Sequence, residues 1–254
     1  GLEDHKKHTA MKAILFTGGL LFLLSGSGCS KSSDPNNDLP SISPQLIKLY
    51  DDPQGLVAEA SEQQGFDKLH GFYPTGKTML DVRSTTFTDN AIMQTCIINK
   101  STQPERFDSL VRAHGDTHWN NWSTFGPPCM FRVTTGLHVT CDRDYDTNHL
   151  AGTLLDDLLT IHYMSADGIL VDGEYILPSP AEEELKPNYQ MGECDAKLNE
   201  FNNMRLKLVS LRFTLLFIKN PSETSDYVFT CTYTNEDGKK LTASTDPLRI
   251  QGER

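Results

Sequence analysis

Alternation with a period of two narrows what this chain can fold into more than any other feature. Between Leu208 and Ile218, apolar side chains fall on every second position, at Val209, Leu211, Phe213, Leu215 and Phe217. In an extended strand those five share one face. Ser210, Arg212 and Thr214 occupy the other face, which turns apolar at Leu216 and Ile218. The spacing predicts a strand half exposed at its start and buried on both faces at its end. Near the C-terminus, the runs Tyr227–Thr234 and Lys240–Ser244 flank a loop, Asn235–Lys239, that contains Gly238. Alternating runs around a short glycine loop predict a β-hairpin. Leu248–Ile250 would add a last edge strand.

More strand text lies upstream. Thr78–Phe87 and Ala91–Ile98 are rich in β-branched residues and are joined by Asp89 and Asn90. Cys129–Thr135 and Leu137–Cys141 follow, with Gly136 between them as a bulge or bend. Helical text is sparse: Thr153–Leu159 with Thr153 as N-cap, Glu182–Leu185, and Lys197–Met204. No repeat of 20–50 residues is present. Many short strands with loop punctuation predict an all-β fold, an antiparallel β-sandwich of immunoglobulin-like kind with a few short helices.

The N-terminal stretch carries an address. From Met11 and Lys12 the chain runs through an apolar core of about a dozen residues to Ser25, Gly26, Ser27, Gly28 and Cys29. A bilayer-spanning helix needs about 20 apolar residues, so a cleaved secretory signal fits better than a transmembrane segment. A Cys after the small residues makes this a lipoprotein signal, with Cys29 carrying acyl chains of the palmitate kind. Two or more chains anchor stably, whereas one binds only marginally. Residues 1–10 precede Met11 and read as an upstream extension. Ser30–Ser43 is polar and Pro-containing, which suits a flexible tether. The organisation expected is extension and signal peptide over 1–28, lipidated Cys and tether over 29–44, and a β-rich globular region over 45–254, as one domain or two subdomains. The address expected is the cell envelope, as an outer-membrane lipoprotein facing the periplasm or the surface.

A formal net charge of −11 repels nucleic acid and anionic headgroups. No basic stripe tracks a phosphate backbone, so DNA and RNA are not expected partners. Five cysteines follow Cys29, namely Cys96, Cys129, Cys141, Cys194 and Cys231. Their odd number leaves at least one unpaired or paired outside the chain. Cys129 and Cys141 are spaced to bridge a hairpin. Cys96, Cys141 and Cys231 also read as small buried hydrophobes. No C-x-x-C motif points to a zinc ribbon or a redox pair.

Four constellations touch chemistry. Gly71 to Thr78 fits G-x-x-x-x-G-K-[ST], but no buried strand precedes it and strand text follows. It reads as a glycine turn into a strand rather than a phosphate loop. His114, Asp116 and His118 would share one face of an extended strand and suit zinc, but Gly115, Asn120, Asn121 and Gly126-Pro127-Pro128 around them favour a solvated polar loop. Asp142, Asp144 and Asp146 alternate like calcium ligands but lack the Gly and Glu of an EF-hand. Trp119, Trp122 and Phe125 stand among Asn and Ser, where they would either stack on a sugar ring or pack on the sandwich end. No G-x-S-x-G, S-x-x-K or H-E-x-x-H occurs. Asp108, Ser109 and Leu110 match a short O-glycosylation acceptor pattern.

The stretch from Val139 to Leu158, with its strand, acidic segment, Gly152-Thr153 and Leu-x-Asp turn, resembles uncharacterised Bacteroides-type lipoproteins. The resemblance implies a β-rich envelope protein and supplies no catalytic residues. The function expected is a lipid-anchored, non-enzymatic binding or structural module that takes a glycan or an envelope protein and needs no cofactor. The alternative is a metal-dependent hydrolase built on His114, Asp116 and His118, with zinc, or calcium at the aspartates, as its metal.

Overall fold

A computed structural model describes residues 44–62, 66–67, 71–72, 76–88, 91, 96–119, 125–176 and 192–253. Eight strands carry the architecture: β1 (Leu56–Glu62), β2 (Thr78–Ser84), β3 (Thr134–Cys141), β4 (Leu159–Ser165), β5 (Gly192–Lys197), β6 (Arg212–Phe217), β7 (Phe229–Asn235) and β8 (Lys240–Ser244). They form two antiparallel sheets, ordered β5-β4-β6-β2-β1 and β8-β7-β3. Leu215 of β6 stands between Leu80 and Ile161, and Cys231 of β7 between Val139 and Ala243. Along β2, β4 and β7 buried residues alternate strictly with half-buried ones, because successive side chains point to opposite faces. The all-β, antiparallel sandwich-like reading holds.

The inward faces of both sheets make one core, with Leu80, Val82, Ile161, Phe213 and Leu215 from the larger sheet and Leu137, Val139, Phe229 and Tyr233 from the smaller. Aromatic rings fill one end. Tyr145 stacks on Phe217 at 5.0 Å, and Phe217 meets Phe229 at the same distance. At the other side the helix α2 (Leu198–Met204) inserts Phe201 against Tyr163 and Phe213. Offset and edge contacts of this kind add to the burial energy of each ring.

A second cluster gathers Leu46, Ile47, Tyr50, Ile98, Phe107, Phe125, Cys129, Ile169 and Leu170 with neighbours. Its frame is a three-stranded ribbon in which Tyr50–Asp51 pairs antiparallel with Ile97–Ile98 and parallel with Cys129–Met130. Over it lies the helix α1 (Pro104–Ala113), which opens on Pro104 and buries Phe107. Proline suits that first position, since its missing N–H would have no partner there anyway.

Several expectations change. In Ala91–Ile98 the described residues Ala91 and Cys96 are helical and Ile97–Ile98 pairs as a short strand; Asp89, Asn90 and residues 92–95 lie outside the described residues. Thr153 caps no helix; a short 3-10 turn starts at Asp156 instead, because Leu154 pairs with Thr140 in a bridge. Glu182–Leu185 lies outside the described residues. The Leu208–Ile218 run is buried in the reverse sense: Ser210 and Thr214 are covered, while Ile218 is 56% exposed. Ser210 sits where the chain passes between the two clusters, and Ile218 follows the last pairing of β6. The hairpin β7–β8, the strand Leu248–Ile250 paired with Ser225–Tyr227, and a register break opposite Gly136 stand as expected. Gly71–Phe72 lies in a small hairpin, Gly76 has φ +75° and β2 starts at Thr78, so the glycine motif enters a strand. Among the described residues none of the five cysteines forms a disulfide. Cys129 belongs to the second cluster and Cys141 to the first, so the bridge between them does not form.

Phe213→Ala is expected to cost about 3–5 kcal/mol, as lost ring burial and a cavity between α2 and β6 add together. An unfolding free energy from urea denaturation that falls by less than a third of that would show the core collapsing around the gap.

Candidate functional site

The sequence candidates converge on the second cluster but not as ligands. Asp116 has no exposed surface. Its Oδ1 accepts the Leu46 N–H at 2.7 Å and the Tyr175 hydroxyl, and its Oδ2 accepts the Ile47 N–H at 2.8 Å. A buried carboxylate is tolerated only when donors replace its water, and here three do. The carboxylate thereby ties the segment at 44–50 and the hairpin at 170–175 to the end of α1.

His114 is not on a strand. It caps α1 with an N–H bonded back to the helix, and its ring stacks on Tyr50 at 5.7 Å. Burial lowers its basicity, against the charges of Asp167 and Asp116. His118 is exposed and meets the Tyr175 ring edge-on at 4.5 Å. The three side chains therefore do not share a face. Among the described residues no group of three His, Cys, Asp or Glu side chains could hold a metal ion.

The aspartates after β3 are also dispersed. Asp142 accepts the Val228 N–H at 2.9 Å and Asp144 the Ala151 N–H at 2.8 Å. Asp146 accepts His149 Nδ1 at 2.7 Å and lies 2.6 Å from Lys219 Nζ. Burial opposes its charge, but Lys219, His149 and the Asn148 N–H hold its carboxyl well below the usual range. His149 Nε2 meets Asp157 at 3.1 Å. An imidazole with a carboxylate at each nitrogen needs two N–H donors and hence a proton on both. Although burial works against that charge, the bonds to Asp146 and Asp157 raise its pKa above 6.5. Its contribution to stability is full below pH 6.5 and is lost as pH rises through the raised value.

Trp119 is only 6% exposed and packs on Tyr175 at 4.8 Å, while Phe125 is 2% exposed. Sugar stacking needs an open ring face, and these two rings instead pack inside the second cluster. Trp122 and Cys29 lie outside the described residues.

Asp51 is a polar group that the sequence did not flag. It is 1% exposed. Ser84 donates to Thr86 at 2.8 Å and Thr86 donates to Asp51 Oδ1 at 2.9 Å. Oδ2 has no hydrogen-bond partner among the described residues. Burial pushes the carboxyl up to about 6, against the hydroxyl bonds and the charge of Lys239.

Two clefts flank α1. One, about 380 Å³, lies between the helix and the segment at 44–45, floored by Phe107 and Val111. The other, about 290 Å³, is walled by the helix end at 112–115, the turn at 172–173 and Lys207. Asp172 and Gly173 both have positive φ, at +52° and +82°, as a tight hairpin turn between Leu170–Val171 and Glu174–Tyr175 requires. The Asp-Gly dipeptide was the available signal for this hairpin. Gly115, at φ +69°, lets the turn press in: a Cβ there would sit 2.5 Å from Gly173 Cα.

No protein-family model, curated protein or solved structure matches the chain.

Asp51 makes a pH signature. A carboxyl raised from 3.8 to about 6 on folding destabilises the protein at neutral pH; the penalty fades as pH falls through 6 and is gone below 3.8. Asp51→Asn keeps the acceptor for Thr86. It is expected to gain about 3 kcal/mol over wild type at pH 7.5, by the size of the shift, and nothing at pH 3.5. Chemical denaturation at both pH values reads it, and a difference independent of pH would contradict the assignment. Gly115→Ala combines a left-handed backbone with a clash and is expected to lose about 2 kcal/mol or more, seen as a fall in Tm.

Proposed function

We propose that this chain is a lipid-anchored cell-envelope protein whose β-sandwich is a non-enzymatic binding or structural module. The observation that carries this reading is the employment of Asp116. Its oxygens already serve two backbone N–H groups and the Tyr175 hydroxyl, and the residue has no exposed surface, so the central residue of the hydrolase candidate is occupied as a structural tie and presents no face to a substrate. Asp142, Asp144 and Asp146 hold backbone amides, His149 and Lys219 in the same way.

The strand order supports an immunoglobulin-like version of the module. Sheets ordered 1-2-6-4-5 and 3-7-8 match the ABED and CFG sheets of that fold, with β5 as one added edge strand. The leader at 11–29 and the resemblance of Val139–Leu158 to Bacteroides-type lipoproteins support the address in the outer membrane. With Trp119 and Phe125 inside, the reading favours an envelope protein over a glycan as the partner of this face.

Mass spectrometry of the native protein tests the anchor: residues 1–28 absent and acyl chains on Cys29 are expected. An intact leader with a free thiol would overturn it. Elemental analysis tests the module itself, for which a folded domain without zinc is expected. Stoichiometric zinc that disappears in His114→Ala would restore the hydrolase.

A further inference from the structure

The cleft beside the end of α1 is lined by three charged side chains without an ion pair among the described residues. Arg112 and Lys207 line it, and so does Asp172. All three are exposed. Although cations and carboxylate face one space of about 290 Å³, none of them forms an ion pair within 4.0 Å among the described residues. Several other cations do meet carboxylates: Arg83 pairs with Glu59 and Asp81, Arg106 with Asp52, Arg132 with Asp237 and Lys219 with Asp146.

The fourth charge in the cleft is Asp167, and it is already employed. Its Oδ1 accepts the Lys207 N–H at 2.9 Å; its Oδ2 accepts the Leu208 N–H and the Ser165 hydroxyl, both at 2.8 Å. What stays open is two cations and one carboxylate, held apart on a rigid frame. The Asp172 turn is fixed by its hairpin and by the glycine-to-glycine approach to Gly115. Leu170 and Leu208 close the floor and His114 adds a ring whose basicity burial lowers.

A polyanion would meet Asp172 and Asp167, and a simple cation would meet Arg112 and Lys207. A molecule with both signs at short separation meets neither penalty. We propose that this cleft binds a small zwitterion of the amino-acid or short-peptide class, its carboxylate on Arg112 and Lys207 and its ammonium on Asp172. Guanidinium suits the planar carboxylate through paired N–H donors, and the cleft volume lies near the lower bound for small-molecule sites. This inference does not depend on the anchor.

The test is amide NMR titration of the whole chain with glycylglycine, acetate, methylammonium and inorganic phosphate. Glycylglycine is expected to shift the amides of Gly115, Asp172, Gly173 and Lys207 with a millimolar Kd, and acetate and methylammonium to bind at least about tenfold more weakly, each lacking one charged contact. Arg112→Gln, Lys207→Gln and Asp172→Asn are each expected to weaken glycylglycine by about tenfold. As exposed residues they leave Tm nearly unchanged, which separates lost binding from lost fold. Phosphate binding as tight as glycylglycine and indifferent to Asp172→Asn would make this a plain anion site and overturn the proposal. So would the absence of any shift at these four amides.

Discussion

A carboxylate stripped of water must be met by donors, and the way Asp116 is met organises one whole end of this molecule. Leu46 and Ile47 bring their amides to it from one side, and Tyr175 brings a hydroxyl from the other. These three partners come from segments some 60–70 residues distant in sequence. Closing them on one anion fixes the segment before Tyr50, the end of α1 and the hairpin at 170–175 at once. The apolar residues of those segments then have no choice but to face each other, and the second cluster follows. Breaking a bond of this type leaves a buried charge unpaired, which costs far more than the bond itself contributes.

Two ionisable arrangements favour the proton for different reasons. Asp51 keeps one oxygen without a partner, so its fold prefers the proton. His149 sits between Asp146 and Asp157 and also prefers the proton, but here the proton completes a network rather than relieving a defect. Asp146 itself is favoured as an anion, so strong acid removes what mild acid gains at Asp51. The balance places greatest stability on the acid side of neutrality for these groups taken together.

Much of the sandwich was legible in the chain. Phe213, Leu215 and Phe217 alternate because a strand with one covered face needs them to, and the β7–β8 hairpin announces itself through Gly238 and its flanking runs. Where the alternation misled, packing overrode it. Ser210 is buried because the chain there threads between two clusters, and Ile218 is exposed because pairing has ended. The helix α1 was not among the predicted helices, because Pro104 and a stretch rich in charge mark no apolar face until Phe107 finds a core to enter. His114, Asp116 and His118 looked like a ligand triad because the spacing of a strand was assumed. A helix end stands there instead, and it turns the three side chains apart.

The sequence by itself determined that this chain builds antiparallel sheets and that it carries a net negative charge, because both follow from local spacing or from composition. Only the tertiary structure decided what the polar residues do. Asp116, Asp167 and Asp51 look alike in the chain; one is a tie, one an amide cradle and one an under-partnered acid. Arg112, Asp172 and Lys207 carry no pattern at all, and they face one another because loops distant in sequence close on the same cleft. The reason is that hydrogen bonding and charge act over a few ångströms of space, and distance along the chain does not record it.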